Sequence, residues 1–122
     1  KKCLAEQENA LRNMKKYRLR FLPLFEKDLN QIIDYISIQL ENPVAAYSLI
    51  DEVYAAIEKR LSCPESFEVF PSKKEHPLPY YRIYVRNYII FYVISEDTME
   101  VRRILYGRRD LEKHLYIYRK HM

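Results

Sequence analysis

The stretch RRILYGRRDLEKHL, residues 102–115, sets Arg102, Arg103, Arg108 and Arg109 around Ile104, Leu105 and Tyr106, with the chain's only glycine, Gly107, between the two pairs. A guanidinium keeps its charge at physiological pH and presents a planar fork of N–H donors that fits a carboxylate or a phosphate. Four of them beside one tight backbone position are suited to holding an anion. Arg82, on an earlier strand-like segment, is a fifth candidate. Tyr106 and His114 add groups that can donate or accept a proton. The alternative is a solvated rim that serves only solubility.

The charge distribution favours a directed role. The chain carries a net +4, with a pI near 9.0. Residues 80–122 hold nine Lys/Arg against five acids, and seven of those nine are Arg, so all of the net charge is C-terminal. Residues 23–61 are the opposite, with seven acids against three bases. An acidic protein and a nucleic acid are both partners that such polarity fits.

With 122 residues, 48% of them hydrophobic, the chain has the size and composition of one domain with a modest core. No apolar run approaches the roughly 20 residues needed to span a bilayer, and no secretory pattern opens the sequence. The expectation is a cytoplasmic protein without a membrane partner. Cys3 and Cys63 have no second cysteine or histidine at ligand spacing. They are expected as free thiols, with no metal site and no cofactor.

The elements that must position the arginines follow from periodicity. Residues 1–15 are a helical or flexible lead-in, residues 16–115 a single domain, and residues 116–122 a tail. Tyr17–Leu22 alternates as a strand. Pro23 starts a helix, and Phe25, Leu29, Ile32, Ile36 and Leu40 form its apolar stripe. Asn42 caps a second helix begun by Pro43, with Ala46, Ile50, Val53, Ile57 and Leu61 as its stripe. Residues 62–79, rich in proline, form an irregular connection. Three strands follow: Tyr80–Val85, Tyr88–Ile94 and Thr98–Tyr106. A turn in which Asn87 takes positive φ joins the first two. The middle strand, YIIFYVI, is apolar on both faces and belongs in the sheet interior. The fold class is α+β: a two-helix antiparallel hairpin on one face of a small, mainly antiparallel four-stranded sheet, in the order β-α-α-β-β-β. The other face is expected open or concave, with Gly107 leaving the last strand at a φ that other residues avoid.

YRLRFLPLFEKDLNQIIDYI, YYRIYVRNYIIFYVI and VRRILYGRRDLEKHL, in this order and at these distances, resemble the RelE/ParE superfamily of bacterial type II toxins over residues 16–115. The resemblance implies a toxin neutralised by a cognate, often acidic antitoxin. It implies one of two targets: the ribosome with its mRNA, which RelE-like members cut as metal-independent mRNA interferases, or DNA gyrase, which ParE-like members poison without catalysis. A small non-toxic binding module is the remaining alternative.

RNA cleavage needs a cation for the phosphorane and groups to move protons. RelE-like members carry an arginine three residues before the aromatic that ends the central strand motif. Tyr92 matches that aromatic, and Ile89 stands in the arginine's place. As a nuclease the chain would rely on Arg82, Arg103, Tyr106 and His114. As a binder it would present Arg82, Arg102, Arg103, Arg108 and Arg109 to target and antitoxin. The match around NYIIFY and GRRD is closer to ParE-like members. Strict alternation puts Arg102 with Ile104 and Tyr106, and Arg103 with Val101 and Leu105; which set faces the open side stays undecided.

Overall fold

The computed structural model describes residues 16–70 and 78–107. The lead-in, the tail, and with them Arg108, Arg109 and His114 lie outside the described residues. Strand β1 (Arg18–Phe21) runs into helix α1 (Pro23–Asp34), a π-helical turn (Tyr35–Gln39) and helix α2 (Pro43–Leu61). Strands β2 (Tyr81–Val85), β3 (Tyr88–Ser95) and β4 (Thr98–Tyr106) complete one sheet in the order β1-β4-β3-β2.

Local chemistry sets the helix starts. Pro23 fills the first position of α1, where its missing N–H has no helical partner to lose. Asn42 caps α2 by accepting a hydrogen bond from the Ala45 N–H at 3.1 Å through its side-chain oxygen. The first helix stops short of the expected Leu40. At Tyr35 the backbone widens, so that the Leu40 N–H reaches the Tyr35 carbonyl, five residues back, at 3.0 Å. The widened turn swings Ile38 and Leu40 into solvent.

The sheet is mixed. β1 lies parallel to β4, with Arg18 opposite Thr98 and Phe21 opposite Val101; the other pairings are antiparallel. Its helix-facing side packs Ile83, Val85, Ile90, Tyr92, Met99, Val101 and Ile104 against Phe25 and Leu29 of α1 and Leu49, Val53 and Ile57 of α2. Ala46 is buried as expected, and Leu49, absent from the expected stripe, is fully buried.

The opposite side is not open over β3. Phe70, Leu78 and Tyr80 pack on Ile89, Phe91, Val93 and Leu105. The Phe70 N–H donates to the Tyr80 carbonyl at 2.6 Å, and Val69 bridges Tyr81, so the connection folds back over the sheet. Arg60 ties this arrangement to α2: it donates to the Arg82 carbonyl at 3.1 Å and to the Tyr92 hydroxyl at 2.9 Å. Tyr92 in turn donates to the Pro64 carbonyl at 2.8 Å.

Three expectations change. Positive φ in the β2–β3 turn falls on Arg86 (54°), not Asn87. The Arg86 side chain is clamped to α2 by Glu52, at 2.7 and 3.0 Å, and by Ser48 at 3.0 Å. Gly107 has no positive φ. Its N–H donates to the Asn87 carbonyl at 2.8 Å, and a Cβ there would lie 3.1 Å from the same oxygen, so closeness of backbones calls for glycine. Cys63 is disulfide-bonded and not a free thiol. No described helix is long and apolar enough to cross a membrane, and no described cluster of His, Cys, Asp or Glu could hold a metal ion.

Candidate functional site

The β3–β4 register slips by one residue at the arginines. Phe91 pairs with Arg103 and Tyr92 with Val101, so Arg102 is an extra residue with no β3 partner. This bulge overturns strict alternation along β4: Val101 and Ile104 share the helix-facing core, while Leu105 packs on the other side. It also redirects both arginines towards carboxylates.

Arg103 reaches α1. Its Nε donates to Asp28 Oδ2 at 2.7 Å and its Nη2 to Oδ1 at 2.9 Å, a bidentate fork; the Ile104 N–H adds a third bond to Oδ2 at 3.2 Å. Arg102, only 6% exposed, donates from Nη2 to Glu100 Oε1 at 3.1 Å, and Arg20 stands 3.5 Å from the other oxygen of Glu100. Arg82 shares the face of Phe91, its β3 partner, and lies over the rings of Phe70 (5.3 Å) and Tyr84 (5.8 Å). The opposite charges of hairpin and sheet are therefore in part directed at each other, through Arg103–Asp28 and Arg86–Glu52.

Beside the Arg103–Asp28 pair runs a groove of about 610 Å³, bounded on α1 and the π turn by Gln31, Ile32 and Tyr35, and on the sheet by Tyr88, Ile104, Leu105 and Tyr106. The Tyr88 and Tyr106 rings meet edge to face, 5.9 Å between centroids. Burial, then the neighbouring phenols of Tyr106 and Tyr35, push the Tyr88 hydroxyl above its ordinary range, which disfavours its ionised form. A floor of neutralised charge with aromatic and aliphatic walls fits an apolar or aromatic protein segment with polar edges. Its cation is already engaged by a carboxylate, which weakens its pull on a phosphate.

Of the residues singled out in the sequence, Arg103 and Tyr106 line this groove, whereas Arg102 turns to Glu100 and Arg82 stands over Phe70 beyond β3. Arg108, Arg109 and His114 follow Gly107 outside the described residues. Ile89 is buried in the second core. Asp28, Tyr35 and Tyr88 were not singled out as site residues. Asp28 had a signal: it falls between Phe25, Leu29 and Ile32 at helical spacing, an acid on the buried stripe.

A family model described as the ParE toxin of type II toxin-antitoxin systems, parDE, matches residues 19–111. Among solved structures, the chromosomal ParDE TA system from P. aeruginosa aligns with a TM-score of 0.62 at 13% identity, covering 74% of this chain and 95% of that one. A RelB-RelE antitoxin-toxin complex from Methanococcus jannaschii aligns at 27% identity over 81% of this chain and 96% of that one, with a TM-score of 0.38. No curated protein matches.

Proposed function

Because the chain belongs to the ParE toxin family of type II toxin-antitoxin systems, we propose that it arrests growth by binding DNA gyrase, and that a cognate acidic antitoxin neutralises it. The carrying observation is the fate of the cations that RNA cleavage would require. Ile89 occupies the position of the RelE-like arginine and is buried among Phe91, Val93 and Leu105. Arg103 is held bidentate by Asp28, and Arg102 is paired with Glu100. A fixed cation on a developing phosphorane is worth about two to three orders of magnitude in rate. These arginines instead build the fold, which supports a toxin that acts by contact.

The antitoxin reading draws on the ParDE complex from P. aeruginosa, whose fold this chain shares, and on the basic C-terminal part of the sequence. An acidic segment laid along the groove would place apolar side chains against Ile32, Leu105 and the three tyrosines, and its carboxylates suit a sequence that continues after Gly107 with Arg108 and Arg109. The place of action is the cytoplasm, where gyrase works.

Two assays test the reading: gyrase supercoiling with added toxin, and primer extension on ribosome-bound message. Supercoiling inhibited without cleavage, and restored by the product of the adjacent small reading frame, is the expected result. Codon-phased cuts that vanish in Arg82→Ala or Arg103→Ala would replace it with a nuclease. Arg108→Ala with Arg109→Ala should abolish toxicity while leaving the circular dichroism spectrum unchanged.

A further inference from the structure

The tip of the helical hairpin carries apolar surface that the fold does not use. Ile38, Leu40, Val44 and Tyr47, within ten residues of one another, are 56–76% exposed. Val44 and Tyr47 share one face of α2 by their spacing of three. Side chains of this size and exposure present on the order of 500 Å² of accessible surface, the scale of the largest patch on a typical monomer and one that marks contact sites.

The tip is held in shape. Besides the Leu40–Tyr35 bond, the Asn42 N–H donates to the Ile36 carbonyl at 3.1 Å, and Glu41 sits at φ 51°, a left-handed conformation that disfavours any side chain. A relaxed helical turn would avoid that cost.

The charges around it select an occupant. From Asp28 to Glu58 the sequence holds six acids and no Lys or Arg. Asp28 is bound to Arg103 and Glu52 to Arg86, but Asp34, Glu41 and Asp51, all exposed around the tip, have no ion-pair partner among the described residues. A second copy joined tip to tip would face acid with acid, and an acidic antitoxin would be repelled in the same way.

We infer that the hairpin tip is a second docking surface, made for a protein with an apolar centre and a Lys/Arg rim, and that this protein is the toxin's target and not its antitoxin. The assignment rests on the toxin reading above. It keeps the antitoxin to the basic side and adds the acidic tip to the contacts of the target.

The test uses full-length toxin, its antitoxin and gyrase holoenzyme. One variant removes the apolar centre (Ile38→Ser with Tyr47→Ser); the other reverses the rim (Glu41→Lys with Asp51→Lys). All four side chains are exposed, so melting temperature should hold and antitoxin affinity should stay within about twofold. Inhibition of supercoiling and growth arrest should each weaken by about tenfold or more, the loss expected when central contacts are removed. Full inhibition by both variants overturns the proposal. So does a parallel loss of antitoxin binding, which would give the tip to the antitoxin, or a wild-type dimer that the variants convert to monomer, which would give it to a second copy. If wild-type toxin arrests growth without inhibiting gyrase, the gyrase reading fails, and the tip proposal then stands or falls on whether both variants lose growth arrest with antitoxin binding intact. A wild-type chain that neither inhibits gyrase nor arrests growth overturns both.

Discussion

Removing the Asp28 carboxylate should be among the most damaging single changes available in this protein. It accepts three hydrogen bonds, two from the Arg103 guanidinium and one from the Ile104 N–H, and the paired side chains are about nine-tenths buried. In Asp28→Ala the Arg103 charge remains inside the molecule without this carboxylate, and the Ile104 N–H loses its side-chain acceptor. Breaking a buried pair from one side costs about 3–5 kcal/mol, a large share of the 5–15 kcal/mol that holds a typical domain together. Asp28→Asn keeps the shape and one acceptor oxygen but not the charge, and should cost about 2–3 kcal/mol. Asp28→Leu with Arg103→Met removes both charges and keeps the volume, leaving only the Ile104 N–H without its side-chain acceptor, and should cost about 1–3 kcal/mol. Urea denaturation of these proteins and of the single variants Asp28→Leu and Arg103→Met, read as midpoints at constant slope, measures all of this. The reasoning is refuted if Asp28→Ala costs less than about 1 kcal/mol, or if the double variant costs the sum of its two single changes.

Burial pushes the Tyr92 phenol up to about 12, against the hydrogen bond from Arg60, which pulls it down. A pKa raised on folding contributes stability that is intact below the unfolded value near 10 and is lost as pH climbs towards 12, so alkaline titration should remove about 2–3 kcal/mol over that window. Tyr92→Phe should flatten that loss while costing about 1–3 kcal/mol at neutral pH, because the Pro64 carbonyl loses its donor; an unchanged alkaline profile would contradict the assignment. Gly107→Ala should destabilise by no more than about 1 kcal/mol, since the new Cβ is tight only against the Asn87 oxygen at 3.1 Å, meets Ile89 at an ordinary 3.5 Å, and the φ is not positive; a loss several times larger would show a strain not accounted for. Glu96→Gly, at a turn position with φ 58°, should raise stability by about 0.5–1 kcal/mol in thermal unfolding, and a clear loss would mean that the Glu96 side chain holds the turn.

What could be read from the sequence was what neighbours in the chain decide. Pro23 and the Asn42–Pro43 pair start their helices through atoms within four residues, and the apolar runs of β3 and β4 state their own burial. What could not be read depends on residues far apart. The bulge at Arg102 exists only as a mismatch between two strands, and without it alternation misplaces Val101 relative to Leu105. The groove needs Tyr35, Tyr88 and Tyr106 brought together from three elements. The covered second face needs Phe70 and Leu78, which read only as parts of a proline-rich connection. The turn between β2 and β3 misled for another reason: asparagine is the better intrinsic choice for positive φ, but the clamp of Glu52 and Ser48 on Arg86 outweighs that preference.

The parallel pairing of β1 with β4 also bears on how the chain is made. β1 is synthesised well before its sheet partner, Thr98–Val101, and the carboxylate of Asp28 waits for Arg103, 75 residues later. Contacts of such separation close a long loop before they return any free energy, which makes them late events in folding. A nascent chain halted anywhere before β4 has an unpaired first strand and an α1 with a buried-type acid and no base to meet it. The toxin fold is therefore acquired only once β4 has been made, which leaves the interval between β1 and β4 for an antitoxin to be present before the toxin has a finished surface.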